Sequence, residues 1–194
     1  MTTVYFIRHA QSDYAVRDGR SRPLTEKGLS DRSLVTEFLQ DKGIDAVLSS
    51  PFRRAVDTLR PFAEKNGFAI ETIEGFRERR SDSDWDRDGD YFPFIERQWA
   101  DFSYTLSDGE CLAEVQARNI SALNDVLARY EGKTIAIGTH GMALSMIINY
   151  YDRAYGFSDF MAMAYLMPWV VKMGFDGARC ARMEKIDLFT LPAD

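Results

Sequence analysis

The chain has 194 residues, 45% hydrophobic and 28% charged, with a formal net charge of -6 at pH 7. That balance describes one ordinary globular domain, expected over 1–194, and excludes a disordered chain. It also excludes wrapping of a nucleic acid, which needs an excess of lysine and arginine, and no apolar run is long enough to cross a bilayer.

The first element is the unbroken apolar run Val4-Tyr5-Phe6-Ile7, followed at once by Arg8 and His9. Such a run bounded by polar loop residues reads as a buried strand, so Arg8 and His9 stand where the strand ends. Thr25 predicts a helix cap, and Leu34, Val35, Phe38 and Leu39 form the inner face of that helix, with Gly43 ending it. Ile44 to Leu48 reads as a second strand. Ser50-Pro51 predicts a cap followed by proline at the first helical position. Arg54 then falls in the first turn, and Ala55, Leu59, Phe62 and Ala63 face inward. A third strand is expected from Phe68 to Ile73, with Glu78 just after it.

From about 79 to 106 the chain turns acidic and aromatic without clear periodicity. It reads as a surface excursion that sets substrate specificity. Within it, Asp84, Asp86 and Asp88 before Gly89 match the first half of a calcium loop. The twelfth position of that loop is Ile95, and Glu96 comes one residue late, so a solvated acidic loop is the better reading. The aromatic residues Trp85, Tyr91, Phe92, Phe94, Trp99, Phe102 and Tyr104 leave two roles open: lining a leaving-group pocket, or forming the excursion's own core. Ser107 to Glu110 has the spacing of a capping box, ahead of a helix with Leu112, Val115, Leu123, Val126 and Leu127 inside. The strand Thr134 to Thr139 ends in His140, the second of two histidines, and a helix from Met142 to Tyr151 follows. Ala164 to Phe175 and Ala178 to Ile186 read as strands hinged at Asp176-Gly177. Cys111 and Cys180 stand far apart and outside any metal-ligand spacing, so they are expected as reduced thiols of a cytoplasmic protein.

Strands alternating with helices imply an α/β sandwich with a mostly parallel sheet. Such sheets bind ligands beyond the carboxyl ends of their strands. Arg8, His9, Arg54, Glu78 and His140 all fall at that kind of position and can converge on one crevice. Guanidinium groups suit phosphate oxygens, and helix N-termini add oriented N–H donors. The expected partner is therefore a small-molecule phosphomonoester, with no nucleic acid, membrane, metal or cofactor called for, and no feature specifies an oligomeric state. A neutral imidazole can attack phosphorus to give a phosphohistidine, while the cations stabilise the equatorial oxygens. Glu78 is the candidate general acid, then base. Periodicity leaves the choice of nucleophile between His9 and His140 open. Ser12 and Arg22 lie on loops from which they could also touch the phosphate.

Four segments carry a resemblance. Arg8-His9-Ala10, Ser50-Pro51-Phe52-Arg53-Arg54-Ala55 with Thr58, Phe76-Arg77-Glu78 and Thr139-His140-Gly141 resemble the histidine phosphatase superfamily, also called phosphoglycerate mutase-like. Pro23-Leu24-Thr25 with Gly28, and Gly109-Glu110 with Glu114, Val115 and Arg118, are similar to further family segments. The resemblance runs in the family's order from Val4 to about Gly141. It implies a three-layer α/β/α sandwich, a phosphohistidine on His9, a pocket of Arg8, Arg54 and His140, and Glu78 as proton donor. Spacing to Ala55 and Thr58 favours Arg54 over Arg53. Ala10 departs from the family's usual glycine, at a cost of about 1 kcal/mol if the position needs a positive φ. Asp13-Tyr14-Ala15 replaces the common Trp–Asn pair, and the span from Glu78 to His140 is short; both turn the reading away from a specific phosphoglycerate mutase. The expected function is hydrolysis of a phosphomonoester through His9. Its alternatives are phosphoglycerate mutase-type transfer and a non-catalytic phospholigand-binding module.

Overall fold

The computed structural model describes residues 1–82 and 91–191. Six strands form one sheet in the order β3-β2-β4-β1-β5-β6. They are β1 (Thr2–Arg8), β2 (Ala46–Ser49), β3 (Ile70–Thr72), β4 (Thr134–Thr139), β5 (Trp169–Asp176) and β6 (Arg179–Ile186). The pairs among β1 to β4 are parallel, whereas β5 runs antiparallel to both β1 and β6. The expected mostly parallel sheet is thus present, with an antiparallel hairpin added at one edge. Gly177 supplies the positive φ (56°) that the hairpin turn needs.

The three layers follow from the alternation of strand side chains. Val4 and Phe6 join Leu48, Ile135 and Ile137 in a core against α4 (Leu112–Arg129) and α5 (Gly141–Tyr151). Tyr5 and Ile7 join Val47 and Ala136 in a second core against α1 (Glu26–Leu39) and α2 (Arg53–Asn66). A strand covered on both faces has no polar side to show, which is why β1 reads as a continuous apolar run. Burial of Phe6 and Ile7, both fully inaccessible, stabilises the fold by roughly 1.5–3 kcal/mol each.

Several predicted boundaries move. Thr25 caps α1 as expected, its side chain accepting the Gly28 N–H at 3.0 Å. The helix ends at Leu39, however, and Gly43 serves the following turn with φ 63°. α2 begins after Phe52, not Ser50, and the Ser50 hydroxyl accepts the Phe52 N–H at 3.2 Å. β2 starts two residues later than expected and β3 is cut to three residues, at the edge of the sheet. Ser107 to Glu110 is no capping box: α4 starts after Cys111, whose N–H is accepted by Glu114 at 3.0 Å. β5 starts at Trp169 instead of Ala164, because the chain first forms the short helix α6 (Phe157–Met163).

The excursion also contains a helix, α3 (Tyr91–Ala100). Its periodicity is masked because Tyr91 and Phe92 on its open side are as apolar as Phe94 and Ile95 on its buried side. Trp99, Phe102 and Tyr104 pack onto the main core, with Trp99 against Phe102, Tyr155 and Phe160. Most of these aromatics are therefore core, and Tyr91 alone among the described ones lines the cavity presented below. The aspartate-rich run 84–90, with Trp85, lies outside the described residues. Cys111 and Cys180 form no disulfide. Among the described residues no helix is long and apolar enough to cross a membrane.

Candidate active site

The parallel pairing of β1 with β4 decides the site. Arg8 is in register with Thr139, so the next residues, His9 and His140, leave the sheet side by side. The His9 N–H donates to the Thr139 carbonyl at 3.1 Å. The two imidazole rings meet edge to face with centroids 5.3 Å apart. Neighbouring β2 delivers the start of α2, with Arg54 in its first turn. The 3-10 turn Glu74–Phe76 after β3 delivers Glu78. Arg8, His9, Arg22, Arg54 and Glu78 then line one cavity of about 340 Å³. Tyr14, Arg79, Ser81, Tyr91, Met142 and Phe160 belong to the same wall.

His9 is held in a defined protonation state. Its Nδ1 lies 2.7 Å from the carbonyl oxygen of Ala10. A carbonyl only accepts, so Nδ1 carries the hydrogen and the lone pair of the neutral ring sits on Nε2. Burial, then Arg54 and Arg8, pushes the His9 pKa well below 6.5, which keeps the ring neutral at pH 7. Ala10 N–H donates to Thr58 Oγ1 at 3.0 Å, and Thr58 donates to the Arg54 carbonyl at 2.7 Å. One hydroxyl thereby ties the turn bearing His9 to the helix bearing Arg54. Among the described residues no non-glycine residue has a positive φ, so alanine at position 10 meets no backbone strain.

His140 is fully buried, with Nε2 2.7 Å from Ser50 Oγ. Its pKa is also well below 6.5, through burial, then Arg54 and His9. It meets Phe52 and His9 edge to face without itself lining the cavity wall.

The cations are held by carbonyls. Arg8 Nη1 donates to Met163 O at 2.7 Å and Leu166 O at 3.3 Å, while its buried Nε has no partner among the described residues. Arg54 Nη1 donates to Gly19 O at 2.5 Å. Burial lowers the Arg54 pKa to about 10, against the pull of Glu78, and the group stays cationic at neutral pH. Arg22 donates to Val16 O at 2.8 Å and stacks on Tyr14 at 4.7 Å. Because carbonyls carry no full charge, the cup keeps its cationic character for an anion.

Glu78 closes the ring of groups. His140 is the N-cap residue of α5 but makes no side-chain cap bond. Glu78 fills that role from another segment, accepting the N–H groups of Met142 at 3.2 Å and Ala143 at 3.1 Å. Behind it, Arg118 donates to the carbonyls of Gly75, Arg77 and Glu78 and pairs with the buried Glu110. Ser12 is buried and bridges to Leu24, outside the cavity wall. Tyr14, Arg79, Ser81, Met142 and Phe160 line the cavity without a sequence signal for that place, apart from the adjacency of Arg79 to Glu78.

The model of the histidine phosphatase superfamily (branch 1) matches residues 4–181. The chain belongs to this superfamily. As a histidine phosphatase superfamily member, it is 26% identical over 159 residues to the probable phosphoglycerate mutase GpmB of Yersinia pestis, covering 77% of this chain and 74% of that protein. Its fold is similar to that of Bacillus stearothermophilus YhfR, with a TM-score of 0.76, 25% identity, and 93% and 94% of the two chains covered. The phosphoserine phosphatase of Entamoeba histolytica solved with phosphoserine shares the fold, with a TM-score of 0.74 and 19% identity over 94% and 96% of the two chains.

Proposed function

We propose that this protein hydrolyses a phosphomonoester in two steps through a phosphohistidine. The observation that carries the reading is a neutral His9, its Nδ1 bonded to Ala10 O, in a cavity lined by Arg8, Arg54 and Glu78. In the first step the Nε2 lone pair attacks phosphorus as the bond to the ester oxygen breaks. Glu78, protonated for this step, gives its proton to the departing alcohol. In the second step water attacks the phosphohistidine, Glu78 takes the proton, and phosphate leaves with His9 neutral again. Arg8 and Arg54 neutralise the phosphoryl oxygens throughout, with Arg22 in the same wall and the neutral His140 ring supporting His9 from behind, and a positioned proton donor contributes a factor of about 10² to 10⁴.

The test is phosphate release from p-nitrophenyl phosphate by wild type and by His9→Ala. Wild type should turn over and trap phosphate on His9, and His9→Ala should do neither. Equal inertness of both proteins across a broad phosphomonoester panel would remove the enzymatic reading and leave the non-catalytic one. The 26% identity to a probable phosphoglycerate mutase favours a second reading in which an alcohol, not water, takes the phosphoryl group from His9. Interconversion of phosphoglycerates without phosphate release would establish it.

A further inference from the structure

The acid of the site rides on a stretch of chain with no ladder of its own. β3 ends at Thr72, a 3-10 turn covers Glu74–Phe76, and Glu78 follows in irregular backbone. Backbone carbonyls in such a stretch need partners from elsewhere when water is excluded. Here one side chain of α4 supplies them. Arg118 gives its Nη1 hydrogens to Gly75 O at 2.9 Å and Arg77 O at 2.7 Å, and one Nη2 hydrogen to Glu78 O at 3.2 Å. Its other Nη2 hydrogen and its Nε–H go to the Glu110 carboxylate at 3.1 and 2.9 Å. Every N–H of the guanidinium is thereby spent on this one task.

The carboxylate that Arg118 meets serves the same stretch. Glu110 also accepts both Arg77 Nη groups and the Arg80 N–H. The turn lies close on the helix as well: a Cβ added at Gly75 would stand 2.5 Å from the Ala122 Cβ. None of Gly75, Arg77, Glu110 and Arg118 lines the cavity. What they share is the backbone that delivers Glu78 to it. The planar fork of arginine spans carbonyls on several residues at once, whereas a lysine ammonium is a single point and cannot.

Resting on the phosphatase reading above, we propose that Arg118 is a positioning residue for the general acid, fixing the turn that carries Glu78 and so setting how fast a poor leaving group departs. In the first step the bond from His9 Nε2 to phosphorus forms, the P–O ester bond breaks, and the Glu78 proton passes to the ester oxygen. An alkoxide needs that proton as it leaves. A p-nitrophenolate, already a stabilised anion, leaves without it. Misplacing a reacting group by about 1 Å can cost about 10²-fold in rate. Loosening the turn therefore falls on alkyl esters far more than on the nitrophenyl ester.

The test compares wild type, Arg118→Lys, Glu78→Gln and the double variant on glycerol 3-phosphate and p-nitrophenyl phosphate. The quantity read is kcat/KM on the first substrate divided by kcat/KM on the second. Breakdown of the phosphohistidine is common to both substrates and does not enter it, and a partly unfolded sample loses both activities equally and leaves it unchanged. Glu78→Gln should lower the ratio by about 10²- to 10⁴-fold, and Arg118→Lys by about 10- to 100-fold. The double variant should fall no lower than Glu78→Gln, because the position of an absent acid no longer matters. Gly75→Ala, which lifts the turn from α4 without touching a charge, should repeat the Arg118→Lys result and takes its place if that variant does not fold. An unchanged ratio in Arg118→Lys beside a lowered one in Glu78→Gln overturns the positioning role and leaves Glu78 as the acid. A further fall in the double variant also overturns it, since Arg118 would then act on something other than Glu78. An unchanged ratio in Glu78→Gln removes the acid from the phosphatase reading, and the proposal with it.

Discussion

Replacing Glu110 by glutamine removes one charge from a buried cluster without changing the shape of the side chain. Glu110 accepts both Arg77 Nη groups at 2.6 Å, Arg118 at 2.9 and 3.1 Å, and the Arg80 N–H at 2.8 Å. Burial acts to raise its pKa, but the bonds from Arg77, Arg118 and the Arg80 N–H outweigh it and bring the value from 4.5 to about 2. That difference corresponds to about 3 kcal/mol in favour of the folded state, the size expected when one partner of a buried ion pair is removed. Because the folded pKa lies below the unfolded one, this stability is fully present above about pH 4.5 and is lost as the pH falls through about 2. Urea unfolding of wild type and Glu110→Gln at pH 7, 5, 4 and 3 measures it. The gap should be about 3 kcal/mol at pH 7 and close progressively below pH 4.5. A gap under about 0.5 kcal/mol at pH 7, or one that does not change with pH, would refute the reasoning. The same variant should release phosphate more slowly, because Arg118 clamps the carbonyls of Arg77 and Glu78 and loses its own anchor.

Three other outcomes follow from single contacts. In Gly28→Ala the new Cβ would lie 2.1 Å from the Gln11 carbonyl oxygen, so urea unfolding should show a loss of about 1–3 kcal/mol; an unchanged midpoint would contradict the packing described for the loop after β1. Thr58→Val leaves the buried Ala10 N–H without its acceptor, which should destabilise by about 1–3 kcal/mol and lower kcat, while Thr58→Ser should restore most of both. Nitrogen NMR of the two imidazoles should show both rings neutral at pH 6, since both pKa values lie well below 6.5. A neutral ring with a lowered pKa takes up its proton only as the pH falls further, so protonation of either at or above pH 6.5 would sink the assignment of a neutral nucleophile.

The sequence by itself determined the sheet's central strand, the cap at Thr25, the hairpin at Asp176-Gly177 and the family. It also placed His9, Arg54, Glu78 and His140 at strand ends and helix starts. Those are local matters: an apolar run too short for anything but a strand, a hydroxyl before a helix, a dipeptide suited to a turn. Helices α3 and α6 were beyond it, because what orders them is packing of Trp99, Phe94 and Phe160 on distant parts of the core. To the resemblance that implies His9 as the nucleophile, the tertiary structure adds the hydrogen bond from His9 Nδ1 to Ala10, which leaves Nε2 free and supports the proposed role. The partners of Glu78 on α5 are 64 and 65 residues away. Separations of that kind leave no periodicity in a sequence, since it is the pairing of β2 with β3 and β4, and not any local preference, that brings those groups together.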